Sequence, residues 1–188
     1  MKFTAGYWEI RPGVQATYPV QVHEVEIDGA GMTVYAATKA LNHRGDTLNL
    51  PLLTVRYTTP MRDVIRVQVC HHKGGLKRGP EFQLNREPVQ VAASDRPEHA
   101  ELTSGNLSVR VTKAAWKVEF RAGERVLTQS GWRNLALMDQ ADGRYLLEQL
   151  SLGVGECVYG LGERFTPFVK NGQVVEMWNE DGGTGSEI

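Results

Sequence analysis

The sequence contains few of the features that mark several classes of protein. Only two of its 188 residues are cysteine, whereas secreted scaffolds held together by disulfides use many more. The formal net charge is −1 and no run of like charges occurs, which argues against nucleic acid or an anionic membrane as a partner. The first thirty residues lack the apolar core of a signal peptide, and no apolar run is long enough to span a bilayer. We therefore expect a cytoplasmic protein with no membrane or nucleic-acid partner.

Helical periodicity is also missing from the sequence. No stretch of a dozen residues combines helical spacing of apolar side chains with capping residues at both ends. Short runs with an apolar residue at every second position occur instead, separated by turn residues about every 8–12 positions. In residues 107–112 and 116–121 this period of two places the apolar side chains on one face, and the short connection predicts an antiparallel hairpin with Trp116 in the core. The pattern predicts an all-β sandwich, formed as one domain by residues 1–188.

Two interruptions of the alternation are informative. His23 and Glu24 shift its phase within residues 20–27, and a β-bulge is the simplest cause of such a shift. Pro51 interrupts an apolar stretch, and proline lacks the amide proton that a central ladder needs, so a strand starts at Pro51 or lies at an edge. Further strands are predicted at residues 32–37, 65–69, 82–84, 89–91, 135–137 and 145–152.

The last thirty residues carry the strongest hairpin signal. Asn171-Gly172 lies between two apolar runs, and this dipeptide suits a tight turn whose two central residues have positive φ. The second run leads to Trp178 and then to adjacent carboxylates, Glu180 and Asp181, in a glycine-rich stretch. We expect a hairpin that delivers these side chains into an exposed loop.

Several sequence blocks resemble a known family. Residues 159–165 are Tyr-Gly-Leu-Gly-Glu-Arg-Phe, and residues 178–183 are Trp-Asn-Glu-Asp-Gly-Gly. Together they resemble the N-terminal domain of glycoside hydrolase family 31. Residues 1–8, Met-Lys-Phe-Thr-Ala-Gly-Tyr-Trp, and residues 11–14, Arg-Pro-Gly-Val, are similar to the bacterial α-xylosidases of that family. The Gly-Leu-Gly-Glu block is shared across the family, whereas the opening and the tail point to the α-xylosidase branch.

The resemblance implies a fold, a reaction and a missing part. In the family, a sandwich similar to galactose mutarotase is followed by a (β/α)₈ barrel that holds a catalytic pair of aspartates. That barrel is absent from this sequence, so the chain is expected to be a fragment with no catalytic residue and no activity of its own. The implied enzyme is a retaining α-xylosidase that releases α-linked xylose from non-reducing ends without a metal or organic cofactor. Its implied partners are an oligosaccharide substrate, its own barrel and, because many family members are oligomeric, further copies of itself.

The resemblance also implies roles for particular residues. The family's aspartate at the position of Asp181 reaches into the mouth of the barrel and hydrogen-bonds hydroxyls of the sugar. A carboxylate suits this role because it accepts charge-assisted hydrogen bonds. Trp178 is a candidate stacking platform for a sugar ring, with a core or rim position as the alternative. Glu180 is expected to be structural, because adjacent residues on a strand point to opposite faces.

Two other functions stay open at this point. A free-standing carbohydrate-binding module would present an exposed aromatic row, with several of Trp8, Trp132 and Trp178 on one face. A structural or oligomerisation domain would present a large exposed apolar patch. Otherwise, Trp8 and Trp132 are expected in the core or at a domain interface.

The remaining groups of reactive residues predict no further chemistry. Cys70, His71 and His72 would alternate between the faces of a strand, so we predict no metal site. Two glycine pairs within residues 153–162 lack the third glycine and the helix of a dinucleotide loop, and are expected to permit bulges or close packing of strands. No histidine-plus-carboxylate site is evident, so mutarotase chemistry is not expected.

Overall fold

The computed structural model describes residues 2–6, 9–70, 89, 91–162 and 165–177. Within these ranges the chain forms one 3₁₀ helix, Arg44–Thr47, and no helix long and apolar enough to cross a membrane. The strands are β1 (Thr4–Ala5), β2 (Glu9–Ile10), β3 (Gln15–Thr17), β4 (Gln21–Asp28), β5 (Gly31–Ala37), β6 (Leu52–Thr58), β7 (Arg66–Cys70), β8 (Ala92–Asp95), β9 (His99–Ser104), β10 (Leu107–Thr112), β11 (Lys117–Ala122), β12 (Arg125–Ser130), β13 (Leu135–Gln140) and β14 (Gly143–Glu148). The predicted all-β class is therefore confirmed.

The chain divides into two compact units. Unit 1 comprises Met1–Glu9 and Leu152–Ile188, and unit 2 comprises Ile10–Ser151. Unit 2 contains three sheets, whose strands are ordered β4-β5-β6-β7, β12-β11-β10-β9-β8 and β14-β13-β3, while β1 and β2 form a separate small sheet. The single domain predicted for residues 1–188 stays a prediction.

One hydrophobic core joins the three large sheets of unit 2 into a β-sandwich. Its buried members are Met32, Val34 and Ala36 from β5, Leu53, Val55 and Tyr57 from β6, Ala100 and Leu102 from β9, Val109 and Val111 from β10, Trp116 and Val118 at β11, and Leu135 and Leu137 from β13. Most of these strands contribute every second side chain, as a period of two requires. Burying each side chain of the size of valine or leucine contributes about 1.5–3 kcal/mol, so this shared cluster is the main force that holds the sheets together.

The predicted hairpin is formed by β10 and β11, and Trp116 is only 5% exposed. Its connection is also bonded to the first sheet, because the Val22 N–H donates to the Lys113 carbonyl over 2.9 Å and the Trp116 N–H donates to the Val20 carbonyl over 2.8 Å. The register of β4 against β5 shifts between Val22 and Glu24. This shift is the β-bulge that the sequence predicts.

The structure decides between the two alternatives for Pro51, and two other strand predictions differ from it in detail. β6 begins just after Pro51 and lies between β5 and β7, so proline starts the strand rather than marking an edge. β14 ends at Glu148, the last residue that finds a partner on β13, so the strand predicted over 145–152 is too long. Val89 and Val91 are not in a strand, because the ladder with β9 starts only at Ala92. Residues 82–84 lie outside the described residues.

Candidate functional site

The two predicted sugar-contacting residues, Trp178 and Asp181, lie outside the described residues, as do Glu180 and Trp8. Their roles therefore stay predictions. The structure does describe residues 165–177, which lead directly to them.

The predicted turn before these residues is present, but the predicted hairpin is not. The Gln173 N–H donates to the Lys170 carbonyl over 3.0 Å, so Asn171 and Gly172 are the central residues of a tight turn. Gly172 has a φ of 75° but the φ of Asn171 is not positive, so the prediction of positive φ at both positions is wrong. No strand occurs in the described residues after Glu148. In a two-residue hairpin the Lys170 N–H would bond to the Gln173 carbonyl, but here it donates to the Val158 carbonyl instead, so the first ladder pair after the turn does not form. Residues 153–162 contain no strand, so the prediction that their glycines permit bulges or close packing of strands is wrong.

The side chain of Asn171 makes the cross-connections that a ladder would otherwise make. Its Oδ1 accepts a hydrogen bond from the Val158 N–H over 2.7 Å, and its Nδ2 donates to the Glu156 carbonyl over 2.9 Å. The Lys170 N–H donates to the Val158 carbonyl over 2.8 Å. Asparagine therefore serves both as a turn residue and as a bridge to the segment thirteen positions earlier.

Lys170 is anchored in the same turn and is only 8% exposed. Its Nζ donates to the Thr166 Oγ1 and to the Pro167 carbonyl, each over 2.7 Å. Burying an ammonium group without partners is costly, and these bonds satisfy two of its three donors. The turn that precedes the predicted contact residues is therefore tied down by two polar side chains, Asn171 and Lys170.

Several large apolar side chains of unit 1 are exposed to solvent. Phe165 and Phe168 are 84% and 77% exposed, and Met177 is 67% exposed. The rings of Phe168 and Tyr159 contact each other, with centroids 5.1 Å apart and planes tilted by 45°. Exposed apolar groups of this kind mark interaction surfaces more often than single exposed residues do.

A small apolar cavity of about 130 Å³ lies within unit 2, and among the described residues of its lining only Glu148 carries a charged group. Part of the Glu148 residue is exposed to solvent. Burial nevertheless raises the pKa of its carboxyl group above the ordinary value, and the nearby Ser130 hydroxyl partly offsets this increase. Burial likewise raises the pKa of Tyr57, whose side chain lines the same cavity. The Nε1 of Trp116, which also lines it, has no hydrogen-bond partner in the described part of the chain.

The outer face of the five-stranded sheet carries a polar groove of about 320 Å³ that contains His99, Glu101 and Arg110. The His99 Nε2 lies 4.0 Å from the Glu101 Oε2, so a histidine and a carboxylate do lie together here. Sequence reasoning missed this pair, although positions i and i+2 of an alternating strand always share a face. The same Glu101 oxygen accepts hydrogen bonds from Nε and Nη2 of Arg110, each over 2.8 Å. The cluster is therefore a cross-strand ion pair whose carboxylate is already engaged.

Trp132 is 77% exposed, so it does not belong to the core, and its predicted alternative place at a domain interface stays a prediction. It lies in the loop between β12 and β13, directly after Gly131. Among the described residues, no three or more His, Cys, Asp or Glu side chains are placed to hold a metal ion. His71 and His72 lie outside those residues.

Comparison with known proteins identifies the family. Residues 54–187 match the family described as the glycosyl hydrolase 31 N-terminal galactose mutarotase-like domain. The chain belongs to this family. The glycosyl hydrolase 31 domain is 40% identical, along its whole length, to the α-xylosidase XylQ of Lactiplantibacillus pentosus, of which it spans 25%. It is 35% identical to an α-xylosidase of Emericella nidulans, of which it spans 27%. The domain thus spans about a quarter of the length of these relatives.

Solved structures share the fold of this glycosyl hydrolase 31 domain. An uncharacterized Listeria monocytogenes protein, solved with glucose, magnesium and calcium, matches with a TM-score of 0.62 and 17% identity, over 85% of this chain and 14% of that one. A cycloalternan-forming enzyme of the same organism, in complex with a pentasaccharide substrate, matches with a TM-score of 0.58 and 18% identity, over 85% and 14% of the two chains. At this level of identity the comparison establishes the fold alone.

Proposed function

We propose that residues 1–188 are the non-catalytic N-terminal domain of a retaining α-xylosidase-like glycoside hydrolase. The observation that carries the proposal is the match to two α-xylosidases along the whole chain, at 40% and 35% identity. Because the chain spans about a quarter of those proteins, the catalytic barrel belongs to a part that this sequence does not contain. The whole enzyme releases α-linked xylose from the non-reducing ends of oligosaccharides, and this chain alone hydrolyses no glycoside.

In the proposed reaction, both catalytic carboxylates come from the barrel. One attacks the anomeric carbon while the other protonates the leaving oxygen, and water then hydrolyses the glycosyl-enzyme. Asp181 of this chain accepts hydrogen bonds from hydroxyls of the bound xylose, and Trp178 is a stacking platform for a sugar ring. A charged acceptor makes such bonds roughly twice as strong as neutral ones. The proposed chemistry uses no metal or organic cofactor.

The exposed apolar group of unit 1 supports a role in association. Phe165, Phe168 and Met177 are mostly exposed in the structure of this chain, and they precede the proposed contact residues in sequence. We propose that the barrel covers them; a further copy of the chain is the alternative partner. The proposed location is the cytoplasm, since Cys70 and Cys157 are both free and a reducing compartment keeps them so.

Substitutions in the full-length enzyme test the proposal. Asp181→Ala is expected to lower kcat/KM for a chromogenic α-xyloside about 10- to 100-fold, because a hydrogen bond to a charged group contributes about 1.5–3 kcal/mol. Its Tm is expected to change little, since an exposed loop substitution alters stability by about 0.5 kcal/mol or less. Glu180→Ala is the matched control and is expected to have a much smaller effect on kcat/KM.

Two results would contradict the proposal. If Asp181→Ala and Glu180→Ala both leave the hydrolysis of α-xylosides unchanged, the loop does not contact the sugar. If the purified chain of 188 residues hydrolyses the chromogenic substrate after rigorous removal of host enzymes, the chain is not a non-catalytic domain.

A further inference from the structure

Trp132 is displayed by an unusual turn. The Asn134 N–H donates to the Gly131 carbonyl over 3.1 Å, which closes the turn, and Arg133 has a φ of 62°. A residue other than glycine rarely adopts this left-handed conformation, because its Cβ crowds the backbone. The turn therefore carries a local conformational cost while it exposes a large aromatic ring, and such costs concentrate at binding sites.

The indole ring of Trp132 is also held in place. The guanidinium carbon of Arg133 lies 4.4 Å from the centre of the Trp132 ring and 5.5 Å from the centre of the half-buried Tyr18 ring. Both distances are within the range of about 6 Å for cation–π attraction. Arg133 thus links the exposed Trp132 ring to the half-buried Tyr18 ring. Because this contact restrains Trp132, its side chain loses little entropy when a ligand binds.

A groove of about 460 Å³ lies beside the ring, within the range of roughly 300–1,000 Å³ that is typical of small-ligand sites. Its lining includes Thr112, Lys117, Gln129, Trp132, Asn134 and Ser151. Arg133 is not part of this lining. Because Trp132 itself lines the groove, a ligand in the groove has access to its ring.

The polar groups of the groove are mostly uncharged and available. Within the described residues, no hydrogen bond engages the side-chain amide of Gln129 or of Asn134. In the described lining the cationic group is the Lys117 ammonium, which pairs with the Glu119 carboxylate, with Nζ and Oε1 2.7 Å apart. Arg121 shares the same carboxylate over 3.1 Å. The groove thus offers amide donors and acceptors next to one exposed aromatic ring.

We propose that this groove binds a neutral oligosaccharide. In this site, Trp132 stacks on the C–H face of one sugar ring. The side-chain amides of Gln129 and Asn134 form hydrogen bonds with the hydroxyls of the sugar, because both amides and hydroxyls can donate and accept. The exposed lining of the groove is mostly apolar, with Ala115 and Trp116 beside Trp132, and this suits the C–H face of a sugar ring. Because an apolar lining also suits a docked protein domain, the experiment distinguishes the two ligands. The site lies within unit 2 and is independent of the proposed role of Asp181.

Titration of the 188-residue chain with xylotriose, cellotriose and maltotriose tests this proposal. The chain contains four tryptophans, so labelling with 5-fluorotryptophan gives four fluorine NMR signals, and Trp132→Phe assigns the relevant one. We expect that signal to shift saturably with at least one trisaccharide. Calorimetry is expected to show a loss of affinity of about tenfold or more for Trp132→Ala, and a smaller loss for Asn134→Ala. Leu127→Ala, an exposed change on β12 outside the groove, is the matched control and should leave affinity unchanged.

Three results would overturn the proposal. One is the absence of saturable binding by all three trisaccharides to a chain that shows a cooperative thermal transition. Another is binding that Trp132→Ala leaves unchanged, which would locate the sugar elsewhere. The third is a Trp132 signal that moves only when further domains of the longer protein are present without sugar, which would make Trp132 a domain contact.

Discussion

The carboxamide oxygen of Asn171 accepts a hydrogen bond from the main-chain N–H of Val158 over 2.7 Å, and its nitrogen donates to the Glu156 carbonyl over 2.9 Å. One side chain thus joins the turn to a segment that is not a strand. Its importance lies in its place in the sequence, between the Gly-Leu-Gly-Glu block and the proposed contact residue Asp181.

Removal of this side chain is expected to loosen the segment locally. Asn171→Ala loses both hydrogen bonds, each worth about 0.5–1.5 kcal/mol, so amide exchange at Val158 should accelerate by roughly tenfold. Asn171→Asp keeps the acceptor for the Val158 N–H but loses the donor to Glu156, and it should retain more protection at Val158 than the alanine variant. Hydrogen-exchange mass spectrometry or NMR measures both. Equal exchange in the wild-type chain and in Asn171→Ala would show that the bridge does not hold the segment.

The raised pKa of Glu148 predicts a dependence of stability on pH. Because burial raises the folded-state pKa above the unfolded value, folding disfavours the ionised form. The contribution of Glu148 to the stability of the protein is therefore most favourable below the pKa that this carboxyl group has in the unfolded chain. That contribution is lost as the pH rises through the pKa of the group in the folded protein. Glu148→Gln removes the ionisation and should be more stable than the wild type at neutral pH.

Urea unfolding between about pH 4 and pH 8 tests this sign. The stability difference between Glu148→Gln and the wild type should be small at the acidic end and should grow in favour of glutamine as the pH rises. A constant difference across the range would contradict the raised pKa. Asp139→Asn, which changes a carboxylate paired with Arg144 outside the apolar cavity, is not expected to show this gain at neutral pH.

Gly31 is expected to tolerate no side chain. A Cβ built at this position would overlap the carbonyl oxygen of Tyr57 on the neighbouring strand, and main-chain atoms paired in a ladder cannot move aside cheaply. Gly123 also has a positive φ, of 57°, but a Cβ there meets nothing within 4 Å. Gly123→Ala should cost about 1–2 kcal/mol for the left-handed conformation, and Gly31→Ala at least about 2 kcal/mol more. The midpoints of urea unfolding compare the two, and equal values would contradict the steric argument.

Local pattern was sufficient for most of the strands. The alternation in residues 107–112 and 116–121 predicted β10, β11 and the buried Trp116, and the phase shift at His23 predicted the bulge. These features depend only on the period of a strand, which each residue's immediate neighbours reveal. The hairpin predicted around Asn171 did not form because the Lys170 N–H donates to the Val158 carbonyl instead of to Gln173, a contact that a count of apolar residues does not detect.

Burial of individual side chains required the tertiary structure. Trp116 and Trp132 are both tryptophans at the ends of strands, yet one lies in the core and the other is 77% exposed. The difference arises because Trp116 is covered by strands that are distant in sequence, whereas the turn at Gly131 displays Trp132 to solvent. Similarly, nothing in the sequence near Glu148 reveals the raised pKa, since the cavity around its carboxyl is built by β6, β7 and β11. The sequence by itself determined the β class, the period of the strands and the family. Only the tertiary structure decided which side chains lose contact with water, because burial depends on which distant strands pack together.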